Sequence, residues 1–151
     1  MIYSFDTGAF VEFGKHMPPD IAVSLWDLFH EMGKAKTLVV SEEVKDELQR
    51  QEDAVAKWVS DRPNLIVPSG EIQGIAAEII RNHDIVDSES TKNQADPWVI
   101  ALAEARDGSV VATEKRRKPG AHLVGIPDVC DAREIPYYRH LDFLRHEGIK
   151  F

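Results

Sequence analysis

The sequence has little of several features on which whole classes of protein depend. It contains a single cysteine, Cys130, so it can form neither an internal disulfide nor a zinc site built from several cysteines. Its apolar runs are only a few residues long, against the ~20 residues needed to cross a bilayer, and its first residues do not form a signal peptide. We therefore expect a cytoplasmic protein without a membrane-spanning segment.

Positive charge is also scarce. The chain has 26 acidic residues against 18 lysines and arginines, which gives a net charge of −8. Proteins that bind nucleic acid through non-specific phosphate contacts are usually basic, so this balance disfavours general duplex binding. A nuclease stays compatible with it, because its active site needs acids and only a local basic patch. The one such patch is Lys115, Arg116, Arg117 and Lys118, a cluster that by itself is more typical of a solvated loop.

Sequence motifs for other chemistries are missing. No GxGxxG follows a strand-like segment and no GxxxxGK[ST] occurs, so nothing supports a nucleotide-binding loop. The six histidines include no HExxH and no other pairing typical of zinc ligands. Nucleotide-dependent and zinc-dependent enzymes are therefore disfavoured.

Short apolar strands alternate with amphipathic helices along the whole chain. The length of 151 residues, with 43% hydrophobic and 29% charged residues, fits one globular domain covering 1–151. Strands are predicted at residues 2–5, 37–40, 65–67, 109–113 and 135–138, and helices at about 7–14, 19–32, 42–60, 72–80, 96–107, 126–132 and 140–148. This alternation predicts an α/β fold with three α/β/α layers around a central, mostly parallel sheet of four to five strands.

Acidic residues stand where these strands end. Asp6 follows the first strand, Glu114 follows the fourth, and Asp96 opens the helix before it, while Glu47 lies nearly two turns into the helix after the second strand. Each acid also has an ordinary explanation, since Asp commonly caps helices and a single helical Glu is usually a surface residue. If the strands are parallel, however, the four positions converge on one edge of the sheet.

Carboxylates gathered at one edge repel each other, so the site requires either a bound cation or raised pKa values. Mg²⁺ and Mn²⁺ prefer oxygen ligands and are held by a few carboxylates together with water. A metal ion held in this way activates water and stabilises the oxygens of a phosphodiester during hydrolysis. The acids therefore predict a metal-dependent phosphodiesterase site.

Four segments of the chain resemble the landmarks of PIN domains, and together they cover essentially its whole length. They are the first strand running into Asp6-Thr7, the stretch from Ser41 to Glu47, the stretch from Asp96 to Ala103, and the strand running into Thr113. The segments Ala95–Trp98 and Ile126–Asp131 resemble more closely a prokaryotic subfamily of PIN-like proteins that is related to the VapC toxins.

The resemblance implies a PIN-like fold and a Mg²⁺- or Mn²⁺-dependent endoribonuclease that hydrolyses RNA. It also implies a homodimer and a toxin of a toxin–antitoxin pair, with a small antitoxin protein in the active-site groove. Carried over to this chain, the metal-binding and catalytic acids are Asp6, Glu47 and Asp96, and the supporting hydroxyls are Thr7 and Thr113.

The fourth acid departs from the PIN pattern, because the usual Thr-x-Asp is absent after the fourth strand. We take Glu114 as this catalytic and metal-binding acid, with Asp131 or Asp128 as substitutes. The basic run of residues 115–118 would then lie beside the site and bind RNA phosphates. Gly8 also stands where many PIN domains have a polar residue. Two alternatives stay open: a DNA-directed nuclease on the same fold, and a catalytically degenerate module that binds RNA or a protein partner.

Overall fold

The computed structural model describes residues 1–86, 94–116 and 124–151, and its strands form one sheet in which every pairing is parallel. The strands are β1 (Tyr3–Phe5), β2 (Leu38–Ser41), β3 (Ile66–Val67), β4 (Ser109–Ala112) and β5 (Tyr137–Arg139). They lie in the order β3-β2-β1-β4-β5, so β1 occupies the centre. The predicted α/β fold around a parallel sheet of four to five strands is confirmed.

Helices cover both faces of this sheet. The α-helices in the described residues are α1 (Thr7–His16), α2 (Val23–Lys34), α3 (Glu42–Gln49), α4 (Ala54–Ser60), α5 (Gln73–Asn82), α6 (Asp96–Ala105), α7 (Ile126–Ala132) and α8 (His140–His146). On one face, α6 packs against β1, β2 and β4, with α5 and α7 beside it. The other face carries α1, α2 and α8, so the predicted three layers are confirmed.

The residues of β1 are all buried, as expected for the central strand of a sheet covered on both faces. Successive side chains of a strand point to opposite faces. The Ser4 hydroxyl therefore points towards α6, where it donates to the carbonyl of Val99 (2.8 Å). The Phe5 ring points to the other face and contacts the rings of Phe10, Phe13, Phe29 and Phe143. These contacts fix the end of β1 relative to both helical layers.

The prediction of one helix over 42–60 is wrong at its centre. α3 ends at Gln49, and α4 begins at Ala54 after a break in which Glu52 has a φ of 50°. The side chain of Asp53 accepts a hydrogen bond from the backbone N–H of Ala56 (2.9 Å) and caps the new helix. An Asp in this position satisfies one of the donors that a helix start leaves free.

The helix expected from Pro19 begins later, at Val23. The N–H groups of Ile21 and Ala22 both donate to the carbonyl of Pro18 (3.0 and 2.8 Å), so the chain first forms a turn. Two 3₁₀ turns, at Pro63–Leu65 and Ser69–Glu71, flank β3 and shorten the strand that we expected over 65–67. The polar stretch 83–93, which its composition predicts to be a loop, is described only as far as residue 86.

None of the helices in the described ranges is both long and apolar enough to cross a membrane.

Candidate active site

The carboxyl ends of β1 and β4 lie side by side at the centre of the sheet. After β1, the chain adds β2 and β3 on one side of it and then β4 and β5 on the other side. The boundary between β1 and β4 is therefore the topological switch point of the sheet. Open parallel sheets bind ligands at such a switch point. The backbone N–H of Asp6 donates to the carbonyl of Val111 (2.9 Å), which places Asp6 directly beside the end of β4.

Asp6 is a buried carboxylate, only 7% exposed. One of its oxygens accepts the backbone N–H of Gly8 (3.3 Å), so it also caps α1. Burial, followed by the negative charges of Glu114 and Glu47, raises the pKa of Asp6 from 3.8 to about 7. No positively charged side chain of the described residues is among the groups that shift this pKa. Asp6 therefore lies among other acids without a compensating cation there.

Glu47 reaches the same region from α3 and is half-buried. Burial is the main cause of the raised pKa of this carboxyl group. The Thr7 hydroxyl, the backbone N–H of Ala95 and the positive charge of Arg50 favour its charged form and limit the shift. Glu47 therefore lies between the start of α1 and the start of α6.

Asp96 is the first residue of α6 and is 7% exposed. The pair Asp96-Pro97 is typical of a helix cap followed by the first helical residue. In the structure, however, Ala95 is the cap and Pro97 is the second residue of the helix. The bond from Ser4 to Val99 fixes the first turn of α6 against β1. Because Ala95 lies next to Glu47, the start of α6 brings Asp96 to the carboxyl ends of the strands.

Glu114 extends from the end of β4 and is half-buried. Its carboxylate accepts the backbone N–H of Ile126 (3.0 Å), the first residue of α7, and its carbonyl accepts the hydroxyl of Tyr137 (2.7 Å). The same carboxylate is the strongest of the charges that raise the pKa of Asp6. Glu114 therefore both joins β4 to α7 and faces Asp6.

The two threonines and Gly8 lie around Asp6. Thr7 Oγ1 is buried and forms no hydrogen bond of ordinary geometry within the described residues. A Cβ atom added to Gly8 would lie 2.8 Å from Thr113 Oγ1 and 3.3 Å from Asp6 Oδ2. A side chain at position 8 is therefore disfavoured, because the hydroxyl and the carboxylate already fill the space.

The structure brings Glu47 and Glu114 within electrostatic range of Asp6, but it does not gather a complete ligand set within the described residues. Within residues 1–86, 94–116 and 124–151, no group of three or more His, Cys, Asp or Glu side chains is arranged to hold a metal ion. The donors that are present are all oxygen atoms of carboxylates and hydroxyls, the type that Mg²⁺ and Mn²⁺ prefer. The residues at this site therefore suit a Mg²⁺ or Mn²⁺ ion in the type of their donor atoms and in their position at the carboxyl ends of the strands.

The two substitutes for the fourth acid have other partners. Asp131 is exposed and accepts two hydrogen bonds from Arg116, at 2.7 and 2.9 Å, which lower its pKa. Asp128 accepts the backbone N–H of Gly125 (3.0 Å) at the start of α7. Neither is among the charges that raise the pKa of Asp6.

Of the predicted basic run, Lys115 and Arg116 are exposed beside Glu114, whereas residues 117 and 118 lie outside the described residues.

A family model described as "Domain of unknown function (DUF4411)" matches residues 3–151. The chain belongs to this family. The match begins at β1 and ends at the last residue, so it includes all four predicted acids. No curated protein and no solved structure matches the chain significantly.

Two residues of this DUF4411 chain lie at the site although the sequence did not point to them. The hydroxyl of Tyr137 donates to Glu114, and burial together with the charges of Glu114 and Asp6 raises the pKa of this tyrosine. Arg139 donates from Nε to the carbonyl of Thr113 (3.1 Å). Both stand on β5, and only the pairing of β5 with β4 brings them to the site. The polar residues at the end of the last predicted strand are the one feature of the sequence that could have indicated these two site residues.

Proposed function

We propose that this protein is a Mg²⁺- or Mn²⁺-dependent endoribonuclease with a PIN-like fold. The observation that carries the proposal is the convergence of Glu47 and Glu114 on the buried Asp6 at the switch point between β1 and β4, where no cation of the described residues lowers the pKa of Asp6. Acids in such a position are unfavourable for the fold alone, and groups of this kind are enriched at functional sites.

The proposed ligands are the carboxylates of Asp6, Glu47 and Asp96, with Glu114 as the fourth acid. The buried Thr7 Oγ1 offers a further oxygen beside them. A Mg²⁺ or Mn²⁺ ion at this place would supply an activated water and would stabilise the oxygens of the phosphodiester.

The chain's own groups prepare the site for this chemistry. Asp6 has to lose its proton to bind a cation, and its raised pKa means that protons compete with the ion up to about pH 7. Tyr137 stays protonated and holds the backbone of Glu114 through its hydroxyl. Lys115 and Arg116 supply positive charge beside the acids, where the phosphates of RNA would lie.

The role of a toxin in a toxin–antitoxin pair, acting as a homodimer and blocked by a small antitoxin, is part of the proposal. It rests on the resemblance to VapC-related PIN domains. A co-purification of the protein with the product of the neighbouring gene, followed by loss of cleavage in the complex, tests this part separately.

A second candidate is a PIN-like module that binds RNA or a protein partner without cutting. One observation favours it: no three acidic, histidine or cysteine side chains of the described residues are arranged to hold an ion. It predicts a folded protein that binds RNA equally well with and without Mn²⁺ and that leaves the RNA intact.

The test is Mn²⁺-dependent cleavage of a mixed RNA pool by the wild type and by Asp96→Asn, with EDTA as a further control. We expect the substitution to slow cleavage by about 100-fold or more, since it removes a ligand charge from the site. Asp27→Asn, an exposed position on α2, is the matched control and should cut like the wild type. DNA of the same sequence separates a ribonuclease from a DNA-directed enzyme.

Cleavage that survives both EDTA and Asp96→Asn would contradict the proposal. A folded protein that neither cuts RNA nor binds Mn²⁺ in calorimetry would establish the non-cutting module instead.

A further inference from the structure

A pocket of about 230 Å³ lies beside the acids, on the β5 side of Glu114. It opens between the carboxyl ends of β4 and β5 and the first turn of α8. Its walls are formed by Glu114, Lys115, Arg116, Tyr137, Arg139 and Asp142. Three of these six side chains are cationic, in contrast to the neighbouring group around Asp6.

Arg139 is the most firmly positioned of the three cations. It is half-buried, its backbone pairs with Ala112 at the end of β4, and its Nε donates to the carbonyl of Thr113 (3.1 Å). The terminal nitrogens of its guanidinium have no hydrogen-bond partner within the described ranges. A guanidinium held at Nε with its terminal N–H groups free is well suited to bind phosphate oxygens.

The other two cations are exposed. Lys115 has no ion pair with any described residue. Arg116 donates to both oxygens of Asp131, at 2.7 and 2.9 Å, and the two side chains are 59% and 51% exposed. A carboxylate held in this two-pronged way occupies the same donors that a phosphate would use. Because the pair is exposed, exchanging its carboxylate for a phosphate costs little.

The acids of the pocket are already engaged. Asp142 pairs with Arg145 (2.8 Å), and the Glu114 carboxylate accepts the N–H of Ile126. Their charges are therefore partly balanced by groups outside the pocket, and the pocket presents the free donors of Lys115 and Arg139.

We propose that this pocket binds a backbone phosphate of the RNA next to the scissile bond, through Lys115, Arg116 and Arg139. Asp131 leaves Arg116 when the phosphate enters. The inference rests on the proposed function for its substrate class. It gives the RNA a direction, from the acids at β1 and β4 outwards over β5, and it makes Asp131 a competitor of RNA instead of a metal ligand.

The test measures RNA binding separately from cutting. A short, labelled, single-stranded RNA pool of mixed sequence is titrated in EDTA at several salt concentrations, with fluorescence anisotropy as the readout. Arg139→Gln and Lys115→Gln should each weaken binding roughly tenfold, as expected for the loss of one charged contact. Each should also reduce the slope of log K against log salt by about 0.7, the value for one phosphate contact on a single strand.

Arg81→Gln is the matched control, because this arginine is exposed on α5 and its loss changes the net charge equally. Lys115→Gln should fold like the wild type even if Arg139→Gln does not, since the Lys115 side chain is exposed and makes no ion pair with the described residues. Asp131→Asn should act in the opposite direction and tighten binding about threefold, as expected for releasing an exposed ion pair. The distant Asp27→Asn reports how much of that gain is due to net charge alone.

The outcomes separate this inference from the proposed function. If Arg139→Gln and Lys115→Gln bind RNA with the affinity and salt slope of Arg81→Gln, the pocket is not a phosphate site, even if the enzyme cuts. If the wild type binds no RNA, the inference is also overturned. If the variants behave as expected but the wild type never cuts RNA with Mn²⁺, the pocket is supported as a phosphate site and the proposed nuclease activity is contradicted.

Discussion

The two ends of the sheet both carry clusters of charged side chains, and the clusters differ in how their charges are balanced. At the amino ends, beside Met1, Ser109 and Pro136, Arg133 is 13% exposed and donates to both carboxylate oxygens of Glu104 (2.8 and 3.0 Å). It also donates to Glu78 (3.2 Å). At the carboxyl ends, Glu47 and Glu114 lie within electrostatic range of the buried Asp6, and none of the described cations shifts the pKa of Asp6.

The difference indicates different roles. The cluster around Arg133 joins α5, α6 and α7, and each of its charges has a partner, as a structural ion pair requires. At the carboxyl ends, burial and then the neighbouring acids raise the pKa of Asp6, so the ionised Asp6 opposes the folded state at neutral pH. Groups of this kind are enriched at functional sites. Our proposal is that a divalent cation supplies the missing charge here.

The largest expected effect is on the pH dependence of stability, measured in metal-free buffer. The folded-state pKa of Asp6, about 7, lies above its ordinary value of 3.8, so the folded protein binds this proton more tightly than the unfolded chain does. The free energy of unfolding should therefore fall as the pH rises from about 4 to about 7, by something on the order of 3 kcal/mol.

Asp6→Asn should remove most of this fall and be more stable than the wild type at pH 8, because Asn also caps a helix but carries no charge. Urea unfolding across this pH range is the measurement. If the free energy of unfolding changes equally with pH in the wild type and in Asp6→Asn, the pKa of Asp6 is not raised in the folded protein.

The next effect concerns the balanced cluster. Arg133→Met leaves Glu104 and Glu78 without their shared partner, and we expect a loss of about 2 kcal/mol in the free energy of unfolding. Arg145→Met, which removes an arginine that is 73% exposed from an ion pair within α8, should cost much less. Equal losses would mean that the partly buried cluster around Arg133 stabilises the fold no more than an exposed ion pair does.

The smallest effect tests the space around Asp6. Gly8→Ala should destabilise the protein by about 1 kcal/mol, because the new Cβ atom would lie 2.8 Å from Thr113 Oγ1, and this overpacking outweighs the better helix propensity of alanine. Gly74→Ala is the matched control: it also stands near the start of a helix, with no atom within 4 Å of its added Cβ, and should be neutral or stabilising. The same sign at both positions would contradict the packing around Asp6.

The sequence predicted the layers of the fold because their signals are local. Apolar runs such as Leu38–Val40 and the helical spacing of Ile72 to Ile80 specify elements from neighbouring residues alone. The break between α3 and α4 was missed because no glycine or proline marks it. A left-handed Glu52 and the capping by Asp53 produce it, and an Asp in a polar stretch is a weak signal.

For the site, chain order was enough to place Asp6 and Glu114 at the ends of predicted strands, on one edge of a parallel sheet. That these two strands are neighbours is known only from the pairing of β1 with β4 in the structure. Pairing between distant residues was not predictable in this way. Arg139 contacts Thr113 only because of the register in which β5 pairs with β4. Asp131 forms its ion pair with Arg116 only because of the position of α7. Both relations depend on tertiary packing, which a single sequence does not display.

The most direct test of the account is the effect of Mn²⁺ on the thermal unfolding of wild type and Asp6→Asn at pH 8, each against an EDTA control. If the acids bind a cation, Mn²⁺ should raise the Tm of the wild type. At an ion concentration 100 times the Kd, binding adds ~2.7 kcal/mol to the free energy of unfolding. The same Mn²⁺ should leave Asp6→Asn unchanged, whereas Asp27→Asn should follow the wild type. No shift in the wild type, or an equal shift in Asp6→Asn, would contradict the assignment of these acids as a metal site.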